Sequence, residues 1–212
     1  MTAPDPRLLA VLADLEAETT ALDGLVAGLD ETGWRLATPA EGWDVATTVA
    51  HLAWTDEVAV TAATDTAGWE ALLQQAAADP AGLVDGAALS GGKAAPEPLL
   101  DRWRAARARL AEVLLRRDPA RKIPWFGPPM GPTSMATARY METWAHSLDV
   151  ADALGVVVEP HDRVRHVVHL GVRTRAFAFA ARGAAVPEGE VRVELTALEH
   201  LPHRGDPVAV EA

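Results

Sequence analysis

Arg139-Tyr140-Met141-Glu142-Thr143-Trp144-Ala145-His146-Ser147-Leu148-Asp149 lies inside a run, Ser134 to Leu154, that holds no Pro or Gly. Gly155 follows it. The run predicts a helix with Ser134 as N-cap, ended by a glycine that can turn left-handed. Residues four apart share a helix face, so Glu142 and His146 project side by side. A carboxylate oxygen and an imidazole nitrogen so placed make half of a divalent-metal site. Arg139 and Asp149 lie about one turn to either side, where they could orient the carboxylate and accept the imidazole N–H. Met135, Ala138, Met141, Ala145, Leu148 and Ala151 read as the inward stripe. A carboxylate beside such a stripe is costly unless it is paired or metal-bound.

A pair on one helix needs a third ligand from another. Upstream, Gly42-Trp43-Asp44 opens a helix with Asp44 as N-cap, and Val45, Val49, Leu52 and Val58 supply its apolar positions around His51. His51 is the candidate third ligand; alone it would read as a structural or exposed histidine. Leu8, Val11, Leu12, Leu15, Leu22, Leu25, Val26 and Leu29 predict a first long helix, stopped by Asp30-Glu31-Thr32-Gly33. A helix from Pro96 or Pro98 turns Leu99, Leu100, Trp103, Ala106, Leu110, Val113 and Leu114 inward. Arg102, Arg104, Arg107, Arg109, Arg116 and Arg117 are placed on its outside. Gly68 to Asp79 reads as a short helix, and the Gly/Ala-rich stretch from Pro80 to Gly92 as a loop. Four long helices, two of them offering His and Glu/His inward, make a four-helix bundle with a site between facing helices.

Asp118 to Thr133 is too rich in proline for helix, yet it carries Trp125 and Phe126, which are costly to expose. It reads equally as an aromatic lid beside the metal and as a plug closing the core. Trp54, Trp125, Phe126 and Met130 are the candidate pocket or lid residues. Beyond the bundle, His161 to Arg182 predicts a further helix, whose His166 and His169 read as surface residues beside Arg163 and Arg165. Val191 to Thr196 alternates apolar and polar like a strand, and Glu199 to Ala212 reads as a tail.

The 212 residues suit one ordinary domain with a small appendage. No window is long and apolar enough to span a membrane, and the N-terminus has no secretory pattern. Cysteine is absent, which excludes disulfides, thiolate ligands and a cysteine nucleophile, and fits a cytoplasmic protein. The net charge of −11 argues against nucleic-acid binding.

Taken together, Gly42-Trp43-Asp44, His51-Leu52-Ala53 and Arg139-x-x-Glu142-x-x-x-His146-x-x-Asp149 resemble the DinB-like superfamily. With the Trp125-Phe126-Gly127-Pro128-Pro129-Met130 loop before the last bundle helix, the chain is most similar to the mycothiol-dependent maleylpyruvate isomerase branch, which includes actinobacterial metal-binding proteins. The likeness spans residues 1 to about 182. It implies an all-α, DinB-like metal-binding bundle over 1–155 and, over 156–212, the start of a truncated or divergent C-terminal α+β domain. It implies a divalent metal, zinc foremost, on His51, Glu142 and His146, with open positions for water, thiolate or substrate. A low-molecular-weight thiol such as mycothiol and a small-molecule substrate are the implied partners, for isomerase or S-transferase chemistry in a monomer or homodimer. A metal-binding or regulatory module without chemistry, and a bundle that keeps the pattern as packing, stay open as alternatives.

Overall fold

Helix caps set the element boundaries in this computed structural model, in which residues 5–79 and 82–196 are described. Helix α1, Pro6–Val26, starts behind Asp5, whose side chain accepts the Arg7 N–H, and has Pro in its first turn. A short α2, Glu31–Trp34, is capped by Asp30. Helix α3, Val45–Thr64, is capped by Asp44, which accepts the Thr47 N–H. Two shorter helices follow, α4 (Thr66–Ala78) and α5 (Gly82–Gly91), and then the long α6, Pro96–Arg116. Helix α7, Pro132–Ala153, ends in a Schellman motif: Gly155 takes φ +66°, and the Val156 N–H reaches back to the Ala151 carbonyl at 2.8 Å. It starts earlier than expected, with Gly131 as N-cap, and Ser134 is an exposed residue inside the helix.

The four long helices form the bundle. Helix α3 packs on α6, α1 on α7, and α3 and α7 also meet. The core is built in two apolar halves. One joins Leu8 and Val11 of α1, Val58 and Ala62 of α3, Leu110 and Leu114 of α6, and Met135 of α7 with Trp69 and Ile123. The other joins Leu22 and Val26, Val49 and Leu52, Leu99 and Trp103, and Val150 with Trp34. Each Leu or Val fully removed from water contributes about 1.5–3 kcal/mol. Between the halves every long helix turns polar while staying buried: Glu18 and Thr19, Thr55 and Asp56, Arg107, and Arg139 and Thr143.

That polar layer corrects two expectations. Arg107 is buried, not part of the solvated arginine face of α6. The inner face of α7 is Met135, Ala136, Arg139, Tyr140, Thr143, Ser147 and Val150, whereas Met141 and Ala145 are half-buried and Leu148 is exposed. Buried Asp56 is the reason, since its charge requires cations and hydroxyls on the facing helices.

The stretch to Gly92 also differs, being helical over α5. A Cβ on Gly91 would sit 3.0 Å from that of Ala50, and one on Gly92 would meet Thr47 Oγ1 at 2.8 Å. These glycines allow α5 to lie close on α3, a packing demand that resembles loop composition. The Asp118–Thr133 segment is an ordered loop, pinned by paired backbone hydrogen bonds of 2.7 and 2.9 Å between Ile123 and Met130.

The chain divides into two compact units, Met1–Val158 and Glu159–Ala212. In the second, a 3-10 turn at Asp162–Val164 leads into α8, Arg165–Ala181, none of whose residues is buried. Residues Val191–Thr196 form no strand. Their alternating pattern has no partner strand among the described residues, and a lone strand leaves its backbone groups unpaired. The tail expected from Glu199 to Ala212 lies outside the described residues. The fold class is all-α.

Candidate metal centre

His51 lies two turns into α3, the helix that Asp44 caps, and its side chain is buried. Glu142 and His146 stand one turn apart on α7, at the edge of that helix's buried face. The packing of α3 on α7 brings the three together. His51 Nε2 is 3.1 Å from Glu142 Oε2, and His146 Nε2 is 3.8 Å from the same oxygen. One donor atom from each residue lies within 4.8 Å of the other two, and no further group of this kind occurs among the described residues.

The surroundings set the charges. Burial pushes the Glu142 carboxyl up, but the hydrogen bond with His51 and the charges of Arg139, His51 and His146 outweigh it and lower it to about 2. Burial, and the positive charge of His51, hold the His146 imidazole below its ordinary value, against the pull of Asp149 and Glu142. An ionised carboxylate and a neutral imidazole are the forms that ligate a metal.

Asp149 Oδ2 accepts from His146 Nδ1 at 2.9 Å. With the proton on Nδ1, the lone pair of Nε2 faces Glu142. His51 has no such partner: its Nδ1 is buried without a hydrogen bond. Its tautomer therefore follows whatever Nε2 binds. Two imidazoles and one carboxylate, with a carboxylate behind one imidazole, fit a zinc-type cation in the chemistry of the donor set.

Arg139 does not reach Glu142 by hydrogen bond. Its Nε donates to Asp56 Oδ1 at 2.9 Å and its Nη2 to Thr55 Oγ1 at 2.6 Å. It faces the polar layer and acts on Glu142 through its charge alone. Trp125 and Phe126 gather on Trp69, with ring centroids 6.3 and 4.9 Å from it. Trp54, Trp125 and Met130 pack on the Trp69–Ile123 half of the core. The loop packs on that half of the core through Trp125 and Met130, and the ring of the more exposed Phe126 lies against those of Trp69 and Trp125.

The aromatic wall at the histidines is Trp43, which belongs to the Gly42-Trp43-Asp44 motif but shows no role in the sequence alone. Its ring lies 5.1 Å from the His51 ring and stacks at 5.8 Å on that of His146. A bridged turn presents it: Ala37 pairs with Asp44, the Thr38 N–H donates to the Trp43 carbonyl at 3.0 Å, and Gly42 takes φ +78°. In Gly42-Trp43-Asp44 the glycine makes the turn, the indole covers the histidines and the aspartate caps the helix that carries His51.

Residues 15–151 match the mycothiol maleylpyruvate isomerase N-terminal domain family, to which the chain belongs. Two uncharacterized proteins of Mycobacterium tuberculosis, from strains CDC 1551 / Oshkosh and ATCC 25618 / H37Rv, are each 53% identical over 184 residues, which is 87% of this chain and 72% of theirs. Crystal structures of mycothiol-dependent maleylpyruvate isomerase and of a mutant of it share the fold, with TM-score 0.64 at 15% identity over 87% of this chain and 76% of that one. The bundle is DinB-like. Among the described residues no helix is long and apolar enough to cross a membrane.

Proposed function

We propose that this protein binds a divalent metal through His51, Glu142 and His146 and acts with a low-molecular-weight thiol of the mycothiol type on a small-molecule substrate, as an isomerase or S-transferase. The carrying observation is the convergence of two imidazoles and one ionised carboxylate within 4.8 Å. Zinc is among the cations that such a mixed N/O set suits, and three protein ligands leave a position open. When bound, it would supply the positive charge that turns a thiol into thiolate near neutral pH.

The chain's own residues supply the rest. Glu142 brings the negative charge, held ionised by its neighbours. Asp149 keeps the His146 proton on Nδ1 and aims Nε2 at the centre. Trp43 shields both imidazoles, while the Glu142 side chain, 31% exposed, leaves an approach for a small molecule. The chain has no cysteine, so a participating thiol comes from outside, and the reducing cytoplasm would keep it reduced.

Metal content of the purified protein, measured beside His51→Ala and His146→Ala, tests the reading. The expected result is about one divalent ion per wild-type chain, none in either variant, and unchanged helical circular dichroism in all three. A wild-type chain that takes up no divalent ion after reconstitution, or variants that retain it, would overturn the assignment.

A further inference from the structure

In the second compact unit, Glu159–Ala212, none of the described residues is buried. Val172 and Phe177 of α8 are exposed, and so are Val186, Val191, Val193 and Leu195. Apolar side chains gathered in this way call for a covering surface. The path of the chain after α8 is nevertheless fixed. Gly183 takes φ +63°, and the Ala184 N–H reaches back to the Phe179 carbonyl at 3.0 Å. Arg175 lies over the Phe179 ring and donates to the Pro187 carbonyl at 3.1 Å, which ties the returning chain to the helix.

That chain leads into Val191-Arg192-Val193-Glu194-Leu195-Thr196, whose backbone makes no hydrogen bond among the described residues. In an extended chain alternate side chains share a face. Val191, Val193 and Leu195 then form an apolar face, and Arg192 and Glu194 a charged one, on which they pair with each other. The order of the charges makes the segment complementary to itself. Run antiparallel to the same segment of a second copy, with the two Val193 residues opposed, it sets each Arg192 against a Glu194. The same register sets each Val191 against a Leu195. A slip of two residues opposes Arg192 to Arg192 or Glu194 to Glu194, and a slip of one residue exchanges the faces. Parallel pairing in register stacks like charges. Only the register centred on Val193 satisfies both faces.

We propose that residues 191–196 are a homodimer interface, pairing antiparallel with the same segment of a second copy about a two-fold axis at Val193. Such a contact is isologous, so both chains use the same patch. A ribbon of two strands is marginally stable in water by itself and needs a helix to pack on. Each copy supplies one in α8, with Val172 and Phe177 uncovered. The proposal is independent of the metal centre and of the function given above.

Sedimentation equilibrium of the full chain, from about 1 to 500 µM, tests it. The wild type is expected to dimerise with rising concentration. Arg192→Glu and Glu194→Arg each oppose like charges at both pairs, and each should weaken the dimer at least about tenfold. The two side chains are 86% and 71% exposed, so the swaps spare the fold of the chain. The double variant Arg192→Glu/Glu194→Arg restores opposite charges and should dimerise like the wild type. An equimolar mixture of the two single variants sets Glu against Arg at every charged position and should form the heterodimer. A wild type that stays monomeric throughout, or a dimer that the single swaps leave intact, would overturn the proposal. So would a double variant and a mixture that both remain as weak as the single variants.

Discussion

Asp56 and Glu142 invite comparison, because each is a carboxylate set between two nitrogen-bearing side chains and each ties α3 to α7. Asp56 is fully buried, with Arg107 Nη2 and Arg139 Nε both 2.9 Å from its oxygens. Glu142 is 31% exposed, with imidazole nitrogens at 3.1 and 3.8 Å. Guanidinium carries its charge at every ordinary pH and has no lone pair to offer, so the Asp56 group presents no ligand set to a cation. Burial pulls Arg107 below its ordinary value and Asp56 pulls it back; Thr143 Oγ1, 2.9 Å from Arg107 Nη2, adds a further acceptor. Imidazole can be neutral and can donate an electron pair. The same geometry built with histidine is therefore a ligand set, while built with arginine it is a structural knot.

The sharpest way to break this contrast is to remove each carboxylate in turn. Asp56→Ala leaves two buried guanidiniums uncompensated and is expected to cost about 3–5 kcal/mol of stability, read as a lower urea midpoint. Glu142→Gln keeps an acceptor for His51 and should lower the urea midpoint less than Asp56→Ala does, yet reduce metal affinity by more than the roughly 100-fold that marks loss of a supporting residue. Equal destabilisation by the two substitutions would abolish the distinction.

A finer cut removes the group behind His146. Asp149→Asn frees the imidazole tautomer and should weaken metal binding by about 10–100-fold with the urea midpoint almost unmoved. A competition titration against a chromophoric chelator measures this, and unchanged affinity would show that the 2.9 Å contact does not orient the ligand.

The smallest expected effect is that of pH on the chelator-treated protein. Both shifts at the metal centre are downward, so in each case the unfolded chain takes the proton first. The stability tied to His146 is present above its ordinary value of 6.5 and is lost as pH falls below it. That tied to Glu142 is present above 4.5 and is lost as pH falls toward about 2. Unfolding midpoints between about pH 7 and pH 5 should fall for the wild type and stay flatter for His146→Gln.

Much of this arrangement is legible in the sequence, and the failures share a cause. Helices α1, α3, α6 and α7 follow from three-and-four spacing, with Asp44 marking the start of α3 and Pro96 that of α6, although α7 begins at Pro132 and not behind Ser134. The Glu142/His146 pair is legible in the spacing on α7, whereas His51 as the third partner is what the family resemblance implies, since alone it reads as an ordinary helical histidine. Arg107 looks like any other arginine of α6, and nothing local says that it opposes Asp56. The inner face of α7 is hidden for the same reason: Arg139, Thr143 and Ser147 are buried by partners on other helices, while Met141 and Leu148 satisfy the apolar pattern from outside the core. The α5 helix is disguised because glycines chosen for close contact with α3 have the composition of a loop. At Val191–Thr196 the alternation is present, but among the described residues the partner a strand needs is not.

The polar layer between the two apolar halves has a consequence for alignment. Hydrocarbon contacts alone would tolerate α7 sliding along its neighbours, since one leucine replaces another at little cost. A slip of one turn, about 5.4 Å, would carry Arg139 away from Asp56 and strand its charge among Leu and Trp side chains. Asp56 thereby acts as an index mark that sets how far along α3 the last bundle helix sits. Glu142 and His146 follow Arg139 by one and two turns, so the mark also decides that they arrive opposite His51.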